Sequence, residues 1–277
     1  RIAIFLFSDG HKWNDTNLAD LSVQNKQSYA LKHGYDIFMM DPKAIIRSRP
    51  AAWSKLKGIA ALLPSYDYVW YVDLDTVITN SSIALEWYIH EANAITGTAG
   101  SVDSSTTPVV PDVIMTNDWH GPNTGVFFMR NSAWSLRFLD TWFDLKQFDR
   151  SLYPRQYPFN YEQRGLHYLL STQEWASHRL AGHPAARAHR AHFQFVPQCA
   201  MNSYSVHPLQ RGGSLRRNGY YRTDLLVHLA GIGDAHKQRL MRHYLAAAAA
   251  GGEPPPAAAA AAAGPVPAAW GGGRGGG

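Results

Sequence analysis

The chain has 277 residues, 45% of them hydrophobic, and its 26 Lys and Arg against 21 Asp and Glu give a formal net charge of +5. That length and apolar content accommodate one large core or two modest ones, so a single α/β domain is the simplest expectation and wholesale disorder is excluded. The basic residues are scattered rather than striped, which argues against a nucleic-acid partner, and a lone Cys199 excludes an internal disulfide, a CxxC redox pair and cysteine-based zinc binding.

In chain order, the apolar run 2–7 is too short to span a bilayer and reads as a buried parallel strand; Ser8-Asp9-Gly10 is the loop at its carboxyl end, where α/β sheets take ligands. No signal peptide or anchor is recognised, and a start inside a strand is expected of a stretch cut from a longer chain. A helical pattern over 18–32, a stop at His33-Gly34 and a strand at 35–39 complete one βαβ unit. A helix over 53–63 ends before Pro64 and leads into the apolar strand 68–72, which acidic residues follow at once. This order predicts an α/β fold with a Rossmann-like, mostly parallel central sheet flanked by helices. Beyond Asn80 the expected elements are a helix at 83–92, a loop over 101–118, a strand at 125–129, helices at 132–142 and 162–170, and an inserted loop at 181–190. Residues 246–277 are Ala, Gly and Pro runs without the apolar variety of a core; they read as a disordered tail behind a domain spanning 1–245.

The strongest chemical signal is Asp73-Leu74-Asp75. Alternation along an extended backbone sends both carboxylates to one side, where two anions repel each other and lose hydration. A divalent cation removes that penalty, and oxygen ligands suit Mg2+ or Mn2+. An acid-x-acid triplet is also a common polar turn, but a solvated turn does not need five large apolar residues upstream, whereas a metal site mounted on a rigid strand does.

His228 interrupts the apolar run 225–230, which Gly231 ends. It reads either as a core histidine bonded to a carbonyl or as a third metal ligand, with Gly231 letting the backbone approach a phosphate and Lys237 reaching the same anion. Two acids and an imidazole favour Mn2+ over Mg2+. Asn123, ahead of Gly125, begins a strand or presents its amide to sugar hydroxyls. Glu162 and Gln163, at a loop-to-helix junction, are partners of the helix dipole or line a donor-sugar face.

These segments together resemble glycosyltransferase family 34, which holds fungal-type α-mannosyl- and α-galactosyltransferases and plant-type xyloglucan xylosyltransferases. The resemblance runs through Asn25-Lys26, His33-Gly34-Tyr35, Trp53-Ser54-Lys55, residues 70–75, Asn123-Thr124-Gly125 with Arg130-Asn131 and Trp134, Glu162-Gln163 and residues 228–231, covering roughly 1–240. It implies a GT-A fold with a small additional sheet, a UDP- or GDP-linked nucleotide sugar as donor, a glycan or glycoprotein acceptor, Mn2+ (or Mg2+) as cofactor and retention of anomeric configuration. It also implies a Golgi-lumenal type II membrane protein, anchored by a segment outside this sequence. By the same resemblance Asp73, Asp75 and His228 hold the metal, while Lys55, Gly231 and Lys237 face the nucleotide or diphosphate. Ser8 and Asp9 lie near base and ribose, Leu74 and Gly125 join the donor contacts, and Asn123, Glu162 and Gln163 surround the transferred sugar, the last two as the catalytic pair. Tyr161, where the plant branch has an acid, and Ile232, where it has cysteines, favour the fungal members, as does the stretch 196–204. Two other classes stay open: a non-catalytic sugar-nucleotide binding module, and a metal-dependent phosphoesterase, which asks for more clustered ligands than the sequence offers.

Overall fold

The computed structural model describes residues 1–8, 18–99, 110–118, 120–149, 161–171, 183–205, 219–221, 223–250 and 264–265. Strand β1 (Ile2–Leu6), helix α1 (Leu18–His33) and strand β2 (Asp36–Met39) form the first parallel unit. Helix α2 (Ser54–Leu62) then leads to β3 (Tyr68–Val72), which pairs parallel with the other side of β1. Next come β4 (Thr76–Ile78), α3 (Leu85–Ala99), β5 (Val113–Asp118), β6 (Gly121–Arg130) and α4 (Ala133–Phe143). The remainder comprises α5 (Tyr161–Leu170), α6 (Ala186–Arg190), β7 (Phe193–Val196), α7 (Gln198–Met201), β8 (Ser203–Tyr204), β9 (Leu226–His228), α8 (Asp234–Ala250) and β10 (Gly264–Pro265).

The main sheet has the order β10-β2-β1-β3-β6-β5-β7, and β6 is the strand that runs against both of its neighbours. Every other pairing in that sheet is parallel, so it is the expected mostly parallel Rossmann-like sheet. A second sheet, β4-β9-β8, stands beside it.

Strand alternation explains the layers. Phe5, Val69, Tyr71, Phe127 and Met129 face α2, α4 and α5 through Leu56, Ile59, Phe138, Trp142 and Leu166. Their neighbours Ile4, Trp70, Val72, Val126 and Phe128 face α1 and α3 through Tyr29, Leu85 and Tyr88. Both faces of β3 are therefore apolar, as a strand covered by helices on both sides requires. Each fully buried side chain of this size contributes about 1.5–3 kcal/mol through removal from water. A third cluster joins Val77 and Val227 of the small sheet, with Leu229 just beyond it, to Met241 and Tyr244 of α8 and to Leu18 of α1.

Two expectations need correction. Residues 113–118 are a strand, not part of a loop: Val113, Ile114 and Met115 are buried between β6, the strand that directly follows, and the distant β7, while Pro111 and Asp112 before the strand and Asn117 and Asp118 at its end conceal it in the sequence. Residues 186–190 form α6, a helix too short to display a hydrophobic period, held by His189 packing on Phe138. Helix α8 runs on to Ala250 and β10 adds a two-residue pairing to β2, while the rest of 246–277 lies outside the described residues.

Candidate functional site

The apolar strand β3 ends at Val72 and the chain turns at once. Asp73 O accepts from the Thr76 N–H at 3.3 Å and from the Thr76 hydroxyl at 2.7 Å, so a tight turn rather than an extended backbone brings the two acids together. Leu74, counted with the donor contacts, instead turns its side chain into the core beneath the turn. Helix α1 clamps this turn from behind. Ser22 Oγ donates to Leu74 O at 2.6 Å, Lys26 Nζ donates to Thr76 O at 2.7 Å, and the Asn25 amide brackets Ile78 through both its N–H and its carbonyl.

The small sheet closes the sequence gap to His228. In the β4–β9 register Thr76 lies opposite His228, and Leu229 N–H donates to Asp75 O at 2.9 Å. His228 Nε2 thereby stands 3.2 Å from Asp75 Oδ1 and 4.0 Å from Asp73 Oδ2. One ligand atom from each of Asp73, Asp75 and His228 lies within 4.8 Å of the others, the one such group of three among the described residues.

Gly125 forms the floor of this cluster. A Cβ there would sit 2.4 Å from His228 Cε1 and 2.8 Å from Asp73 Oδ2, and its carbonyl accepts from Asp73 N–H at 2.8 Å. Asn123 accepts from Gly125 N–H through Oδ1 and donates through Nδ2 to Asp118 Oδ2 at 2.8 Å and to Tyr204 Oη at 3.0 Å. It is 4% exposed, so its place is in this network rather than in open solvent.

The charges around the acids differ. Removal from water raises the Asp73 carboxyl above its ordinary value, with Lys55 pulling against the shift and Asp75 adding to it. Burial would raise Asp75 too, but Lys237 at 2.6 Å and the imidazole outweigh it and hold that carboxyl well below the usual range. Burial works against the Lys237 charge and Asp75 restores it, so the ammonium is held above its ordinary value. Lys237 thus reaches the acid cluster from α8.

Lys55 is placed differently from expectation. It is buried, with Nζ 2.7 Å from Glu162 Oε1, 3.0 Å from Thr124 O, 3.4 Å from Thr124 Oγ1 and 4.7 Å from the centre of the Tyr71 ring. Its three N–H groups are turned inward, so it serves as counter-ion to Glu162 rather than facing a diphosphate. Tyr71 in turn donates to Asp73 Oδ1, so contacts run unbroken from Glu162 to the acid turn. Glu162 Oε2 is buried and has no hydrogen-bond partner, while Gln163 Oε1 accepts from Thr124 N–H at 3.3 Å and lies 3.2 Å from its hydroxyl. Gly231 has φ +70, a left-handed backbone that calls for glycine, and open space where a Cβ would stand. Ser8 is half-buried at the carboxyl end of β1; Asp9 lies outside the described residues. Trp134 stacks on His192 and Phe138, and Trp142 donates to Glu162 O, so both pack the scaffold.

Sequence reasoning missed Asn202, Tyr204, Thr124 and Lys26 as members of the site. Asn25-Lys26 and the stretch containing Asn202 and Tyr204 were visible in the resemblance but carried no local chemical pattern.

The donor set fits a divalent ion. Asn202 Oδ1 can only accept, so His228 Nδ1–H donates to it at 2.8 Å, which leaves Nε2 as the ring nitrogen on the side of the acids. A cation shared between Nε2 and Asp75 Oδ1, 3.2 Å apart, would be met by an imidazole lone pair on one side and a carboxylate oxygen on the other.

The sequence model of the galactosyl transferase GMA12/MNN10 family matches residues 1–238. The probable α-1,2-galactosyltransferase gmh2 of Schizosaccharomyces pombe is 26% identical over 255 residues, covering 83% of this chain and 66% of that protein. Xyloglucan 6-xylosyltransferase 2 of Arabidopsis thaliana is 30% identical over 167 residues, 55% of this chain and 34% of that protein, and the probable xyloglucan 6-xylosyltransferase 1 of Oryza sativa subsp. indica is 33% identical over 125 residues, 44% and 25%. The aligned segment thus spans a quarter to a third of these plant relatives. Among solved structures, a glycosyltransferase involved in the glycosylation of the major capsid of PBCV-1 superposes with a TM-score of 0.53 at 17% identity, covering 87% of this chain and 98% of that one, a likeness of fold. The fold is accordingly GT-A.

Proposed function

Since the chain belongs to the galactosyl transferase GMA12/MNN10 family, we propose that it is the catalytic domain of a glycosyltransferase that moves a hexosyl or pentosyl residue from a UDP- or GDP-linked sugar to a glycan or glycoprotein acceptor. The reading includes Mn2+ dependence, retention of configuration and residence in the Golgi lumen. The observation that carries it is the convergence of Asp73, Asp75 and His228 at the end of a central strand, over a glycine that leaves room for an ion.

Asp73, Asp75 and His228 would hold Mn2+, which when bound acts as a Lewis acid on the leaving diphosphate and stabilises its growing charge by several kcal/mol. Lys237, paired with Asp75, would add its positive charge to the same field once a diphosphate is bound. Glu162 and Gln163 border the transferred sugar beside Thr124, with Glu162 contributing a fixed negative charge to an oxocarbenium-like transition state. Its pairing with Lys55 and its burial make it a poor nucleophile, which favours front-side attack. In that step the acceptor oxygen bonds to the anomeric carbon as the carbon–phosphate-oxygen bond breaks, and the acceptor proton passes to the departing phosphate.

The test is a screen of UDP- and GDP-sugars with Mn2+ across glycan acceptors, followed by proton NMR of the purified product. Product with the donor's anomeric configuration supports the reading; inverted product rejects retention. Donor binding without turnover on any acceptor indicates a binding module, and cleavage of phosphodiesters lacking a sugar indicates a phosphoesterase.

A further inference from the structure

We propose that Asn202 is a positioning residue for the metal centre, its amide oxygen fixing which nitrogen of His228 carries the proton so that Nε2 presents a lone pair to the ion. The inference rests on the metal reading above and deepens it. Asn202 is fully buried directly ahead of β8, and β8 lies beside β9 with Tyr204 opposite His228 in a parallel register.

The orientation of this amide follows from groups that cannot be reversed. The Gly125 backbone N–H can only donate, so the atom of Asn123 that meets it at 2.9 Å is Oδ1. The Asp118 carboxylate accepts from the other end of the same amide, at 2.8 Å, which agrees. Asn123 Oδ1 is then an acceptor, so the Asn202 atom 3.1 Å from it is Nδ2, which also donates to Thr116 Oγ1 at 3.0 Å. Only Oδ1 of Asn202 remains to meet His228 Nδ1 at 2.8 Å, and it must accept. A backbone N–H on the floor of the site and a carboxylate at its rim thus set the tautomer of an imidazole two amides away. A histidine free to carry its proton on Nε2 would point N–H, not a lone pair, at Asp75 and the ion.

Asn202 touches neither ion nor donor, so its effect is read in ion affinity and ion choice. The probes are Mn2+ and Mg2+ titrated alone into the folded protein, followed by the electron paramagnetic resonance of free Mn2+ and by calorimetry, with thermal melts confirming the fold. In Asn202→Ala the Mn2+ dissociation constant is expected to rise about 10–100-fold, and Mg2+, which depends less on imidazole, to lose far less. Asn202→Asp, which keeps an acceptor for Nδ1–H, is expected to retain Mn2+ binding, and Asn202→Ala made on His228→Ala to cost nothing further. A cooperatively melting Asn202→Ala with unchanged Mn2+ affinity, an equal loss for both ions, or an additive loss on His228→Ala overturns the proposal. If Asn202→Ala does not fold, Asn202→Asp decides by keeping or losing Mn2+ affinity. Wild-type protein that binds no Mn2+ instead overturns the metal reading itself.

Discussion

Gly125 and His228 meet so closely that a methyl group on the glycine would stand 2.4 Å from Cε1 of the imidazole. The same group would approach Asp73 Oδ2 at 2.8 Å, so a side chain there occupies the space between two proposed ligands. Gly125→Ala should therefore leave a folded protein, destabilised by about 1–3 kcal/mol through overpacking, that binds Mn2+ about tenfold or more weakly. Calorimetry and a thermal melt check both parts.

Lys237 gives a prediction in which two affinities move in opposite directions. Its ammonium lies 2.6 Å from Asp75 and competes with an ion for that carboxylate. Lys237→Ala should bind Mn2+ alone at least as tightly as wild type, yet bind the intact nucleotide sugar about tenfold more weakly, because a charge-assisted contact to the diphosphate is gone. Weaker Mn2+ binding would mean that Lys237 supports the acid turn rather than the donor.

The Lys55–Glu162 pair, 2.7 Å apart and with both side chains less than 5% exposed, should be costly to break on one side only. Lys55→Met leaves an uncompensated buried carboxylate and should lower stability by about 3–5 kcal/mol in urea unfolding. Adding Glu162→Gln should recover a substantial part of that loss while leaving transfer activity low. Equal stability of the single and double variants would show that the pair is not energetically coupled.

Lys26 should make stability rise with pH. Burial lowers its ammonium to about 7, against the pull of Asp75 and Asp73, while in the unfolded chain it stays near 10.5. Between those values the unfolded state binds the additional proton, so unfolding free energy climbs with pH, by at most about 1.4 kcal/mol per unit. Chelator-treated protein should gain urea resistance from pH 7.5 to 9.5, and Lys26→Met should be flat over that range.

The central βαβ order and the acid triplet were legible because both are local. Apolar runs such as 2–7 and 68–72 announce buried strands, and the acids stand directly behind one of them. The conformation of 73–76 was not legible: a turn and an extended strand both bring the acids close, and the choice depends on Ser22, Asn25 and Lys26 of a helix about fifty residues upstream. Strand β5 was hidden for a related reason, since β7, which covers its other edge, comes from about eighty residues downstream, and the Asn117-Asp118 end reads as a turn. Lys55 shows the opposite failing. The resemblance implied that Lys55 faces the nucleotide or diphosphate, whereas Glu162 and Thr124, more than a hundred and about seventy residues away, hold its ammonium. Asn202 has no motif at all; its part in the site exists only once β8 is laid against β9.

The most direct measurement follows nucleotide release from UDP- and GDP-sugars, with an acceptor glycan present, for wild type and Asp75→Asn, each with Mn2+ and with chelator. The account predicts release by wild type with Mn2+, abolished by chelator, restored by returning the ion, and reduced about a thousandfold or more in Asp75→Asn. Undiminished release in chelator, or an Asp75→Asn variant as active as wild type, would contradict it.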